Sequence, residues 1–455
     1  MSTKQFEKIM GVPATLFHKG SLVLRWGMHR VSRTPVAHES RKYLKNLGPG
    51  LITGAADDDP SGIATYSQAG AQYGYGFLWL SLFSFPFMSV VQEICGRMAL
   101  VTGRGLAGTI RQHYSKSALG ICVTLLFVTN VFNIGVDLGA MALAGQMLFP
   151  AASTAFLLIA IAFVGLVLEI YLSYKTYAKY LKWITITLFA YVVSMFVVHL
   201  PAKEIISHTL IPSFHFDKKS IFLLTALLGT TISPYLFFWQ TSQEVEEEIL
   251  EGKTSVASRV GTTKQEISRM RTDVFSGMFF SNLVMFSIIA VCGATLYAHG
   301  VTNITSATDA ALALKPLAGN FAFALFALGI IGTGILAVPV LAGSASYAIA
   351  ETFGWKEGLY RKLKEARAFY GVIIVAVVVG LLINFLHIDP IKALLYSAVG
   401  NGLIAPVILF FIMRLSDNKG IMGEHKNHWG VSAIGWTITV IMALAGIATI
   451  VSFFV

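Results

Sequence analysis

The sequence predicts an all-α membrane protein of eleven transmembrane helices, arranged as two inverted five-helix repeats with the first and sixth helices broken. Three observations carry this. Of 455 residues, 55% are hydrophobic and only 13% charged, a composition suited to a bilayer rather than to water. Eleven mainly apolar stretches approach or exceed the roughly 20 residues a span needs. Two of them, the first and the sixth, read as interrupted around a proline near the middle, at matching places in the two halves of the chain.

In order, the predicted spans cover 48–72, 76–101, 119–149, 153–172, 177–200, 219–246, 272–297, 321–349, 368–387, 390–413 and 431–454. A basic tail (1–45) precedes them and lacks the short apolar core and small-residue site of a signal peptide. The transport domain takes 46–415, with the repeats at about 46–200 and 219–415. An inner loop (416–430) leads to an eleventh helix at 431–455. Cys95, Cys122 and Cys292 all fall within spans and lack paired spacing, so neither a disulfide framework nor a zinc site is indicated.

The formal charge of +10 could point to nucleic acid, but its distribution points to a membrane. With the N-terminus inside and eleven spans alternating, 29 of the 34 Lys and Arg residues fall on the cytoplasmic side. The five outside are Lys203, Lys218, Lys219, Lys315 and Lys392. That bias places the N-terminus in the cytoplasm and the C-terminus outside. The expected location is the plasma membrane, or the inner membrane if the source is bacterial. The expected partners are the lipid bilayer and a divalent metal ion as substrate. No nucleic acid and no obligate protein partner are indicated.

The first span lies within "GPGLITGAADDDPSGIATYSQAGAQYGYGFLW". Each Asp at mid-membrane costs about 2.5–3.5 kcal/mol on insertion scales, so three together imply a wet cavity or a bound cation. Pro60 removes a backbone donor and breaks the helix. Freed carbonyls and the negative end of a half-helix then favour a cation. The sixth span carries "LLGTTISPYLFF", whose Pro234 exposes the Gly229, Thr230 and Thr231 oxygens and the Ser233 hydroxyl. All these ligands are oxygens, which suits a hard divalent ion. Asp59, directly before Pro60, is the first-choice ligand. Asp58 and Asp57 lie about 100° and 200° round the helix, where they can hold the ion's water, line the inner vestibule or be partly protonated. Asn130, Asn133 and Asp137 form an i, i+3, i+7 polar stripe on the third span. It either lines the pathway or bonds between helices. Gln240 and Glu244 follow on the sixth span. Asn401 and Gly402 are expected to interrupt the tenth and to touch the path. Glu93 is expected to pair with Arg97 at i+4.

From about residue 47 to 425 the chain resembles the Nramp family of divalent metal transporters, on these two motifs and on "DAALALKPLAGNFAFALFALGIIGTGI". The resemblance implies a LeuT-like fold working by alternating access. The family's first-helix motif is Asp-Pro-Gly-Asn; its Asp falls on Asp59 and its Asn on Gly62. The sixth-helix motif is Met-Pro-His; its Met falls on Ser233 and its His on Tyr235, while a second His falls on Gln240. An acidic pair used for proton movement falls on Ile134 and Asp137, so one carboxylate remains. The family's usual Arg is missing from the core of the ninth span.

These departures resemble the Nramp-related magnesium transporters. Without a soft thioether, and with room left by Gly62, the site suits Mg²⁺ with much of its water retained, and Mn²⁺ as well. Without the histidines, proton coupling is not expected, because an inside-negative potential alone supplies about 4.6 kcal/mol per 100 mV to a divalent ion. The expected metal ligands are therefore Asp59, Thr230, Ser233, Asp58, Gly62, Thr231 and Asp57. The expected pathway residues are Tyr235, Asp137, Asn133, Gln240 and Asn401. No cofactor is expected beyond the transported ion. The alternatives are a proton-coupled Mn²⁺/Fe²⁺ symporter and, remotely, an amino-acid transporter of the same architecture. Acidic residues at the break would repel a substrate carboxylate. No nucleophile–base pair or phosphate loop points to an enzyme.

Overall fold

A computed structural model describes residues 48–171, 189–214, 217–304, 306–319, 322–386 and 388–454. The basic tail, and the first half of the predicted fifth span, lie outside the described residues.

The described helices of eight or more residues are, in chain order, α1 (Pro49–Asp57), α2 (Pro60–Tyr73), α3 (Leu78–Thr102), α4 (Leu106–His113) and α5 (Lys116–Leu148). They continue with α6 (Thr154–Tyr171), α7 (Phe189–Val197), α8 (Ala202–Leu210), α9 (Lys218–Thr231) and α10 (Pro234–Leu250). The last five are α11 (Lys264–Thr295), α12 (Ala322–Phe353), α13 (Arg367–Ile383), α14 (Pro390–Ser416) and α15 (Trp429–Phe454). Among the described residues there is no strand. In lipid this follows from chemistry, since a helix satisfies its own backbone donors and acceptors where water cannot.

Nine helical stretches among the described residues are long and apolar enough to cross a membrane, with α9 and α10 taken as one. The predicted first and fifth spans are the two not among them. The first is divided into two short rods, and the fifth is described only from Phe189. The interior of the bundle is built from α1, α2, α5, α9–α12 and α14, while α6, α13 and α15 show large apolar side chains such as Phe163, Val375 and Leu444 to their surroundings.

Small residues let the inner rods touch. A side chain at Gly54 would run into the Gly277 backbone, and one at Gly277 into Gly50, so α1 lies directly on α11. Gly229 of α9 meets Ala398 and Gly402 of α14 in the same way. Close backbone approach through glycine is a common way for helices to associate in a bilayer, where burial from water supplies no drive. The tenth span was expected to break at Asn401–Gly402. Instead α14 runs unbroken from Pro390 to Ser416, and Gly402 serves this packing.

The arginine-rich end is tied by polar clamps. Arg97 pairs with Glu93 at 3.0 Å, as the i, i+4 spacing implies, and Glu93 also takes Arg271 at 2.8 Å. Glu246 accepts from Tyr347 and from the Leu359 and Tyr360 amides, anchoring the loop after α12. In that loop the Glu357 carboxyl is pushed up to about 9, first by burial and then by the Glu351 and Glu246 carboxylates.

Two outcomes follow. Gly277→Leu forces α1 off α11 and lowers stability by about 1–3 kcal/mol, the usual cost of overpacking, read as a lower unfolding temperature in detergent. For Glu357, the folded state keeps a proton that an unfolded carboxyl of ordinary value 4.5 has lost, so stability falls as pH rises from about 4.5 to about 9. Glu357→Gln removes that contribution, and thermal unfolding at pH 6 and pH 9 should show a smaller loss in the variant than in the parent.

Candidate metal-binding site

The two breaks are built alike. α1 ends at Asp57, two residues intervene, and Pro60 opens α2 at its first position. α9 ends at Thr231, two residues intervene, and Pro234 opens α10. Proline is well placed at a first helical position, where its missing N–H costs nothing. Each proline therefore starts a second rod instead of kinking one long helix.

Asp59 caps α2. Its Oδ1 accepts from the Gly62 amide at 2.6 Å and the Ser61 hydroxyl at 2.8 Å. Its Oδ2 accepts from Asn133 Nδ2 of α5 at 2.9 Å. Asn133 Oδ1 in turn accepts from the Ser397 hydroxyl of α14. The carboxylate is thus oriented from three helices, α2, α5 and α14.

The other two aspartates turn toward α11. Asp57 Oδ2 accepts from the Ser281 hydroxyl at 2.6 Å, and Asp58 Oδ1 lies at 3.5 Å from the same group. Asp57 Oδ1 and Asp58 Oδ2 are buried without a protein donor. On α5, Asp137 faces Asp59 and the Ser61 amide, yet neither of its oxygens comes within hydrogen-bond geometry of a protein donor. All four carboxylates are at most 1% exposed. Burying charge this way is costly unless water, a proton or a cation answers it.

The second break faces the first. A Cβ on Gly62 would lie 3.0 Å from Thr230 Oγ1 and 3.1 Å from the Asp57 carbonyl oxygen. Gly62 therefore lets the two broken helices approach closely, where even a methyl group would be crowded. Tyr235 donates to the Ala56 carbonyl at 2.8 Å, joining α10 to the last turn of α1.

Among the expected ligands, the structure gathers Asp57, Asp58, Asp59, Gly62 and Thr230 around the breaks. It turns two hydroxyls away. Ser233 donates to the Gly229 and Thr230 carbonyls at 2.7 and 2.8 Å, so only its lone pairs can face a cation. Thr231 donates to Leu227 and Leu228, as threonines within helices commonly do. Asn133 is a partner of Asp59. Asn130 bonds Leu341 and Ser344, tying α5 to α12. Asn401 is buried one turn beyond Ser397, with Nδ2 lacking a partner.

Gln240 stands away from the breaks. It accepts from Thr53 at 2.7 Å and donates to Glu244 at 2.8 Å, closing α10 onto α1. Asp273 completes that closure by accepting from the Gly50 and Leu51 amides at 2.7 and 3.2 Å. Ser281, Ser397 and Asp273 were missed by sequence reasoning. A serine inside a span carries no signal of its own, whereas Asp273 could have been found as an acid near the start of the seventh span.

Among the described residues no three His, Cys, Asp or Glu side chains form a ready cage for a metal. A cation here would need main-chain oxygens or its own water to complete its shell.

Comparison with known proteins agrees with this architecture. The Nramp family, described as natural resistance-associated macrophage protein-like, matches residues 50–452. A divalent metal cation transporter MntH from Mycobacterium leprae is 25% identical over 412 residues, covering 89% of this chain and 91% of that protein. One from Yersinia enterocolitica is 26% identical over 430 residues, covering 91% and 96%. A manganese transporter structure from Eremococcus coleocola aligns with TM-score 0.70 at 18% identity, over 90% of this chain and 87% of that one. The nucleobase-cation-symport-1 family transporter Mhp1 aligns with TM-score 0.56 at 15% identity, over 90% and 91%. At these identities the structural matches establish the LeuT-like fold alone. With the family match spanning nearly the whole described chain, the protein belongs to the Nramp family.

Proposed function

We propose that this Nramp-type divalent metal cation transporter, a multi-pass membrane protein, carries Mg²⁺, and Mn²⁺ with it, in a largely hydrated state and without coupled protons. The observation that carries the reading is the donor set at the breaks. Asp59 is already bound by three protein donors, while Asp57, Asp58 and Asp137 offer buried oxygens with none. Water on a cation donates hydrogen bonds, so a hydrated ion satisfies such acceptors where a bare one reaches only a few. Mg²⁺ gives up its water reluctantly and is often held with several waters retained. Serine at 233 supplies no soft ligand.

In this reading Asp59 sits nearest the ion, with the Thr230 hydroxyl and main-chain oxygens of both breaks beside it. Asp57, Asp58 and Asp137 accept from the ion's water. Asn133 positions Asp59, and Tyr235 holds α1 in register with α10. The charge of the ion drives its uptake along the membrane potential.

A proton-coupled Mn²⁺/Fe²⁺ symporter is the second reading. The observation favouring it is Asp137, a buried carboxylate beside Asp59 that could carry a proton. Uptake into proteoliposomes of Mg²⁺, Mn²⁺, Ca²⁺ and Cd²⁺, with a pH dye inside, separates the two. Mg²⁺ uptake without acidification is expected, and a proton flux matching the metal flux would reject the uncoupled mechanism. Asp59→Ala should abolish uptake of every ion. Ser233→Met should raise Cd²⁺ uptake relative to Mg²⁺ by about tenfold, the effect of about 1.4 kcal/mol from one soft ligand. Strong Cd²⁺ uptake by the parent protein would instead show that the sulfur was never needed.

A further inference from the structure

The end of the bundle away from the arginine-rich loops carries a groove of about 580 Å³ between α2, α9, α14 and α15. Three of the five lysines assigned to the outer face, Lys218, Lys219 and Lys392, converge on its rim. Each stands in the first turn of its helix. That is the positive end of the helix dipole, where a cation is disfavoured. No ion pair among the described residues involves any of the three. The carboxylates beside them are committed elsewhere. Asp217 caps α9 through the Lys219 and Ser220 amides, and Asp389 caps α14 through the Ile391 and Lys392 amides.

Below the rim the groove is aromatic. Phe222 stands edge-on to Tyr396 at 5.8 Å and to Phe453 at 6.4 Å. Tyr396 and Phe453 are 49% and 65% exposed. A positive rim over a partly exposed aromatic wall matches a ligand with an anionic head and a hydrocarbon tail. A free inorganic anion would leave the wall bare, and a neutral lipid would leave the lysines unanswered.

We propose that this groove binds one acidic phospholipid of the outer leaflet, its phosphate between Lys218, Lys219 and Lys392 and its acyl chain along Phe222, Tyr396 and Phe453. The lipid also serves transport, a consequence that rests on the cation reading above. Gln68 and Gln72 of α2 line the same groove, and α2 descends from it to Asp59. Three lysines there, only partly offset by Asp217 and Asp389, repel an arriving cation, and a bound phosphate cancels that repulsion.

The test uses the full chain, purified in neutral detergent and offered phosphatidylglycerol or phosphatidylcholine, with retained lipid read by native mass spectrometry. One phosphatidylglycerol should be retained. Each lysine near a membrane surface is worth about fivefold in binding an acidic lipid, so the triple variant Lys218→Gln/Lys219→Gln/Lys392→Gln should bind it about 100-fold more weakly. Phe453→Ser should also weaken it with all lysines present, so the proposal stays testable if the triple variant folds poorly. Equal retention of the two lipids, equal retention by parent and triple variant, or displacement by millimolar inorganic phosphate would each overturn it.

Transport is then compared in phosphatidylcholine vesicles with and without phosphatidylglycerol. The acidic surface concentrates Mg²⁺ for every protein, so the readout is the difference between parent and triple variant. The parent's KM should fall further than the variant's. Retention of phosphatidylglycerol as stated, in a protein that carries no Mg²⁺, would keep the lipid site and remove the cargo assignment.

Discussion

Four carboxylates buried where a bilayer would lie set the terms for everything around them. Leaving such groups without donors or counter-charge is costly, and the chain reduces that cost by unwinding two helices at the same level. Each break has a two-residue gap followed by a proline that starts the next rod. The gaps bring carbonyl ends, amide ends and side-chain oxygens together without exposing backbone to lipid, because both lie inside the bundle.

Around the breaks, order and openness are divided between neighbouring residues. Asp59 is fixed through Gly62, Ser61 and Asn133, and Asn133 is held by Ser397 on a further helix. Asp57 and Asp58 share one serine and each keep a free oxygen. A site with one fixed acceptor and several free ones is poorly suited to a bare ion of strict geometry. In the proposed reading, an ion that brings its own donors answers the free ones. Its rigidity comes from helices that glycine lets approach to backbone contact, as at Gly54–Gly277 and Gly229–Gly402.

Much of this was legible in the sequence. Pro60 and Pro234 marked both breaks, because proline cannot continue the hydrogen-bond ladder that precedes it. The aspartates marked the site, because acid at mid-membrane is too costly to keep unless water or a cation meets it. The spacing of Glu93 and Arg97 gave their pairing directly. What could not be read was direction. Ser233 and Thr231 were plausible ligands by type, yet their hydroxyls bond back to their own helix, and only the local backbone decides that. Gly402 suggested an interruption by composition, but glycine in a span serves close packing equally well, and α9 lies against it. Ser281 and Ser397 are ordinary small residues whose importance comes from which helix they face across.

The short helix α1 is held at three places along its length, by Asp273 near its start, by Gln240 at Thr53 and by Tyr235 at Ala56. Between these points it lies on α11 through glycine, and its Ile52 side chain is buried in the core. Nine residues make a rod about 13.5 Å long, so a swing of about 20° about the gap at Asp58 carries its far end about 5 Å. The rod is thus a lever with its fulcrum beside the carboxylates. Any such swing would have to release those polar contacts and draw Ile52 out of the core, so the same few residues set how firmly the rod is latched.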